Sequence, residues 1–271
     1  MRSIVIMNQK GGVGKTTTAV NLSAALAAAG KTVCLVDMDP QAHASLHLGI
    51  EPQLDMQSIY DVLVRDQTLA SARRQVDERL WIVPSHLDLA AAEVELAGVV
   101  GREVILRDKL QEDDLRPDYL IIDCPPSLGI LTINALAAVE EVFIPLQPHF
   151  LALHGLSKLL QTIDLVARRL NNRLRLSGII LCMYDTNTRL AMEVTEDVKS
   201  FFESQRDRQT IWKDVCMFKT LVRRNVRLAE APSFGKSIFQ YAPNSNGAED
   251  YANLALEVIE QEQTRRAASS T

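Results

Sequence analysis

Aromatic residues are scarce, at 5% of the 271-residue chain, so a core must be assembled from aliphatic side chains. The four cysteines, Cys34, Cys124, Cys182 and Cys216, form no C-x-x-C pair. That excludes a zinc ribbon, a thioredoxin-like motif and a disulfide scaffold. Three of them lie in or beside apolar runs and read as small buried hydrophobes suited to a reducing cytoplasm. No uncharged stretch provides the roughly 18 apolar residues of a membrane span. Cys124–Val139 and Val142–Ser157 come nearest, and each holds two prolines. The apolar run Ile4–Met7 that follows Met1-Arg2-Ser3 is too short for a signal peptide and reads as a first strand. An excess of positive charge is also missing. With 29 basic and 34 acidic residues the net charge is −5, which gives no global attraction to nucleic acid or acidic lipid.

What is present is the composition of an ordinary globular protein, 47% apolar and 23% charged. Short apolar runs at Ile4–Met7, Thr32–Val36, Leu80–Val83, Tyr119–Ile122, Glu141–Ile144 and Ser177–Met183 predict strands buried on both faces. Helical patterns lie between and after them, at Thr16–Ala29, Leu87–Ala97, Leu156–Leu170, Leu190–Glu203 and Ala248–Glu262. This alternation predicts an α/β fold: a doubly wound, mostly parallel sheet with helices on both faces. A single domain over residues 1–264 is expected, with the small, polar tail Arg265–Thr271 frayed.

The first strand runs into Gln9-Lys10-Gly11-Gly12-Val13-Gly14-Lys15-Thr16-Thr17, and then into a helix. Glycines let a backbone curl and aim N–H groups at phosphate oxygens. A helix N-terminus behind the loop favours negative charge. A lysine suits the β- and γ-phosphates, and a hydroxyl suits Mg²⁺. Gly14, Lys15 and Thr16 supply these parts, but Gln9 stands where the usual phosphate-loop pattern has its first glycine. In its place the loop carries an extra lysine, Lys10, followed by two glycines. This loop resembles the deviant Walker A motif of the ParA/MinD family of P-loop ATPases. Asp37-Met38-Asp39-Pro40-Gln41, Asp123-Cys124-Pro125-Pro126-Ser127 and Glu230-Ala231-Pro232-Ser233 extend the resemblance to the ParA/Soj branch. The likeness runs from Ile4 to about Ile259.

Tyr119–Asp123 is an apolar strand that ends in an acid, and Asp37 and Asp39 end the second strand alike. At the carboxyl edge of a parallel sheet such acids face the ligand crevice. The resemblance implies ATP and Mg²⁺ as ligands, with Gly11 to Thr17 cradling the nucleotide. It assigns Thr16, Asp123 and Asp37 to the metal and Asp39 to the attacking water. It implies a homodimer sandwiching two ATP molecules, in which Lys10 crosses to the partner's phosphates. Gly12 then lies where the two backbones meet, and a side chain there would obstruct the contact.

Charge is unevenly spread. Residues 206–236 hold eight bases (Arg206, Arg208, Lys213, Lys219, Arg223, Arg224, Arg227, Lys236) and three acids. That segment is +5, which leaves −10 elsewhere. Composition alone fits a solvated mixed surface as well as a phosphate-binding face. The resemblance favours non-specific DNA, bound by the ATP dimer through Arg223, Arg224, Arg227 and Lys236. It also implies slow hydrolysis stimulated by a ParB-type centromere-binding protein, and a cytoplasmic, nucleoid-associated location. Positioning of a protein cargo, such as a chemotaxis array or a microcompartment, is the alternative.

Membrane cycling is disfavoured because the last helix is acidic, and a shared iron–sulfur cluster because Cys124 looks structural. The short stretch before the loop is that of the small family members, which lack an amino-terminal helix-turn-helix. Three departures stand out. Arg223 replaces a usual proline, Ala42-His43 replaces Gly-Asn, and Asn187 stands where an arginine is common. His43 and His47 have i,i+4 spacing but no third ligand, so a surface helix is expected.

Overall fold

The computed structural model of the protein describes residues 1–53, 56–149, 152–186, 188–204, 211–213 and 215–269. Asn187, Arg206 and Arg208, singled out above, lie outside them. Among the described residues the strands are β1 (Arg2–Ile6), β2 (Val33–Asp37), β3 (Arg74–Asp77), β4 (Leu80–Val83), β5 (Tyr119–Asp123), β6 (Glu141–Leu146), β7 (Arg175–Tyr184), β8 (Cys216–Met217) and β9 (Val222–Arg223). They form one sheet in the order β3-β4-β2-β5-β1-β6-β7-β8, with β9 also paired to β7. Only β3 runs antiparallel, as the outer arm of a hairpin with β4. The expected doubly wound, mostly parallel sheet is therefore present.

Period-2 geometry divides each central strand between two cores. Val5 and Met7 join one apolar cluster, with Val36, Ile122 and Ile144. Ile4 and Ile6 join the other, with Leu35, Ile121 and Phe143. The first core is covered by helices that include Ile130–Ala138, Ala152–Arg169 and Arg189–Glu203. The second is covered by Lys15–Ala28 and Asn246–Ser269, which pack on each other. Strands buried on both sides need no polar face, which is why they read as continuous apolar runs.

Two sequence expectations change. The helix expected over Leu87–Ala97 is a 3₁₀ turn, Leu87–Ala91, followed by one short turn, Ala92–Glu95. His86 caps it, with Nδ1 accepting from the Asp88 N–H at 3.2 Å, and short 3₁₀ turns of this kind are common at the starts of helices. The tail expected to fray from Arg265 is helical as far as Ser269. Arg265 donates to Glu141, so this turn is tied to the sheet.

Glu141 is the centre of that tie. Its side chain is 3% exposed and accepts from Arg2 Nε and Nη2, each at 2.9 Å. Arg2 also donates to the Val258 carbonyl and to Gln261 on the last helix, each at 2.5 Å. Burial would raise the Glu141 pKa, but the Arg2 and Arg265 guanidinium groups override it and hold it at about 2, against an ordinary 4.5. A carboxylate depressed in the folded state contributes stability above its unfolded pKa and loses it as pH falls through the folded one. Glu141→Gln is expected to cost about 3 kcal/mol at neutral pH in urea denaturation. The gap between parent and variant is expected to shrink as pH falls from 4.5 towards 2, and a pH-independent gap would show that the charge is not responsible.

Candidate functional site

The carboxyl ends of β2, β5 and β1 lie side by side. Asp37 is in register with Asp123, and Asp123 with Ile6. The chain leaves β1, curls through Met7–Gly14 and enters the helix Lys15–Ala28. Gly12 and Gly14 adopt φ of +72° and +92°, a left-handed backbone that favours glycine. Val13, 2% exposed, anchors the curl from below. Asn8 braces it, donating through Nδ2 to the Pro145 carbonyl at 2.8 Å and accepting from the Lys10 N–H at 3.0 Å. No side chain caps the helix, so its first N–H groups remain available to an anion.

Lys15 is 7% exposed and donates to the Lys10 carbonyl at 3.2 Å. Burial lowers its pKa, and the attraction of Asp123 and Asp39 opposes that shift. Asp37 is fully buried and well supplied with donors. Its Oδ1 accepts from the Asp39 N–H at 3.1 Å, and its Oδ2 from the Ser45 N–H and hydroxyl at 2.9 and 2.8 Å. Asp39 Oδ1 accepts from the Gln41 N–H at 2.9 Å.

Asp123 is different. It is fully buried and neither carboxylate oxygen has a hydrogen-bond partner. Burial raises its pKa well above the ordinary value, and the neighbouring Asp37 adds to the rise. The Thr16 hydroxyl eases it from nearby without forming a hydrogen bond to it. An orphaned buried carboxylate beside a second acid and a hydroxyl is a site short of positive charge. Among the described residues no group of three or more His, Cys, Asp or Glu could hold a metal. A divalent ion here would therefore rely on Thr16, one or two carboxylates, water and a ligand's own phosphates, which is the habit of Mg²⁺.

A cavity of about 440 Å³ opens over the loop, lined by Gly11, Gly12, Lys15, Thr16, Asp39, Gln41, His43 and Pro126 among others. A second, of about 390 Å³, is walled largely by Cys182, Val222, Val226, Leu228 and Tyr251. Gly14, Thr17 and Met183 line both, so the two are contiguous. No local sequence pattern marks the second cavity, because its walls come from segments distant in the chain. The last helix supports it: Tyr251 OH lies 3.1 Å from Thr18 Oγ1, one turn into the loop helix. His43 and His47 do share a helix, but only His43 is exposed. His47 is buried and its pKa falls to about 4, contrary to the expected surface helix.

Lys10 and Gly12 are exposed, and Lys10 Nζ contacts His149 Nε2. A Cβ on Gly12 would meet nothing within 4 Å of its own chain. Of the four bases expected to meet DNA, two are engaged within the chain. Arg223 Nε lies 2.9 Å from Asp250 Oδ1, and Nη2 lies 2.6 Å from Glu249 Oε2. Arg227 pairs with Glu230 at 2.8 Å. Arg224 and Lys236 are exposed and make no salt bridge among the described residues. No helix among the described residues is long and apolar enough to cross a membrane.

Comparisons with known proteins agree with this geometry. The family model described as an AAA domain matches residues 1–176. The sporulation initiation inhibitor protein Soj of Bacillus subtilis is 49% identical over 256 residues, covering 94% of this chain and 97% of that protein. The chromosome partitioning protein ParA of Myxococcus xanthus is 47% identical, covering 96% and 89% respectively. A solved structure named as cobyrinic acid a,c-diamide synthase from Mycobacterium smegmatis, with a bound ATP analog and magnesium, is 34% identical. It superposes with a TM-score of 0.81 over 97% of this chain and 96% of that one. With a near full-length match to these relatives and a phosphate loop closed by Lys15 and Thr16, the chain belongs to the Soj/ParA family of P-loop ATPases.

Proposed function

We propose that the chain is an ATP-dependent partition switch that dimerises on ATP, binds non-specific DNA as the dimer, and hydrolyses ATP slowly until a ParB-type partner stimulates it. The carrying observation is the orphaned Asp123 carboxylate held beside Thr16, Asp37 and a glycine loop with a free helix N-terminus. The loop N–H groups and Lys15 bind the phosphates. Thr16 and Asp123, backed by Asp37, would hold Mg²⁺, which would supply positive charge to offset that of the phosphates. Asp39 orients the attacking water and accepts its proton. The apolar cavity beyond Gly14 takes the base.

Dimerisation is supported by the open space around Gly12 and by the exposure of Lys10, which can then reach a partner's γ-phosphate. Val94 is 79% exposed, on the short helix whose Glu93 abuts Gly129 in the loop after β5. For DNA, Arg224 and Lys236 are the better-placed contacts, because Arg223 and Arg227 already neutralise acids of their own chain. Phosphate contacts of this kind position a protein on nucleic acid without reading sequence.

Three outcomes are expected. Lys15→Ala loses the phosphate cation and should weaken MgATP binding by at least about tenfold in calorimetric titration. Parental affinity in that variant would sink the phosphate-loop assignment. Asp39→Ala should still form the ATP dimer in light scattering while its turnover drops about 100-fold or more. Parental turnover would remove Asp39 from its role. Arg224→Glu combined with Lys236→Glu should leave the ATP dimer intact and weaken binding to two unrelated duplexes alike. The loss should be at least about tenfold at low salt, with a shallower dependence on salt. Undiminished gel shifts would place the nucleic-acid surface elsewhere.

A further inference from the structure

We infer that Met183 is a nucleotide-contacting, specificity-determining residue, turned by a strained bulge at the end of β7 into the divider between the phosphate cavity and the apolar cavity. The inference rests on the proposed nucleotide site and names the residue that bears the sugar–base portion. Met183 has φ +51°, a left-handed backbone that residues with side chains rarely adopt. The pairing of β7 with β9 slips at the same point, between Cys182 and Tyr184. In a regular strand, consecutive side chains leave opposite faces of the sheet. Here Cys182 Cβ and Met183 Cε lie 3.6 and 3.9 Å from the point where a Cβ on Gly14 would sit. The bulge thus brings two successive side chains onto the phosphate loop, the re-aiming that bulges produce beside active sites.

Among the described residues Met183 belongs to neither apolar core. Its side chain is only partly buried, while Leu176 to Cys182 before it are buried throughout. Glycine would relax the backbone. The demand must come from what fills the cavities. Any ligand that reaches from the loop into the apolar cavity passes Met183, which lines both. An unbranched, polarisable thioether adapts to a planar base and makes favourable sulfur–ring contact. A bare polyphosphate, held on the loop N–H groups and Lys15, has no need of it.

The test compares MgATP with magnesium tripolyphosphate on the full chain, by calorimetric titration and competition. Met183→Gly and Met183→Asn both suit a left-handed backbone and remove the thioether. Each is expected to keep or raise the urea midpoint. Each should bind MgATP about tenfold more weakly and tripolyphosphate within about twofold of the parent. Met183→Leu, which conserves volume, should restore MgATP binding to within about threefold. If the glycine variant does not fold, the asparagine variant decides. Parental MgATP affinity in the folded variants would overturn the inference. So would an equal loss for both ligands, which would make Met183 a support of the loop only. A parent that binds neither ligand would instead overturn the nucleotide site itself.

Discussion

A buried carboxylate without a partner governs this molecule. Asp123 sits at the centre of the sheet's carboxyl edge, in register with Asp37, and neither of its oxygens is hydrogen-bonded. Two such acids side by side in an apolar surround cannot both carry charge at ordinary cost. Burial lowers the Lys15 pKa, and the nearby Asp123 and Asp39 offset only part of that shift. The site is therefore charge-frustrated by itself, and it is complete only when phosphate and a divalent ion add their own charges. That is an arrangement for binding and release rather than for stability.

The remainder of the fold holds this frustrated centre still. The last helix does most of it, although it contributes no group to the chemistry. Near its start, Asp250 and Glu249 grip Arg223 on one wall of the apolar cavity. The next residue, Tyr251, contacts Thr18 on the phosphate-loop helix. Two turns further on, the Val258 carbonyl and Gln261 take the guanidinium of Arg2, which itself lies on Glu141. One helix thus fixes the loop helix, the cavity wall and the first strand relative to one another. Buried ion pairs of this kind are costly to desolvate but severe to break, so they favour one arrangement over others.

The same economy limits the cationic surface. The segment from 206 to 236 has a net charge of +5 by count, but acids of the chain engage part of it. Arg223 is the clearest case, since its charge is used in holding the cavity wall. A charge tally overstates the phosphate-binding face wherever a long side chain has a nearer carboxylate.

The central strands, the phosphate loop and all three acids were legible in the sequence for one reason. A parallel sheet buried on both faces demands apolar runs, and a ligand at its edge demands glycine, lysine and acid at their ends. Polar or very short strands escaped, because Arg74–Asp77 carries no apolar run and Val222–Arg223 spans two residues. The helix Ile130–Ala138 escaped for the opposite reason, having almost no polar face to show a period. Sequence placed Arg223, Arg224, Arg227 and Lys236 in one basic segment, yet only folding determined which of them face their own acids. Likewise no local pattern marks Met183, whose backbone is turned by the pairing of strands nearly forty residues apart. Local chemistry determines which residues can bind a phosphate. Which side chains remain free, and which walls meet around the ligand, depends on contacts between distant segments, and those exist only in the folded chain.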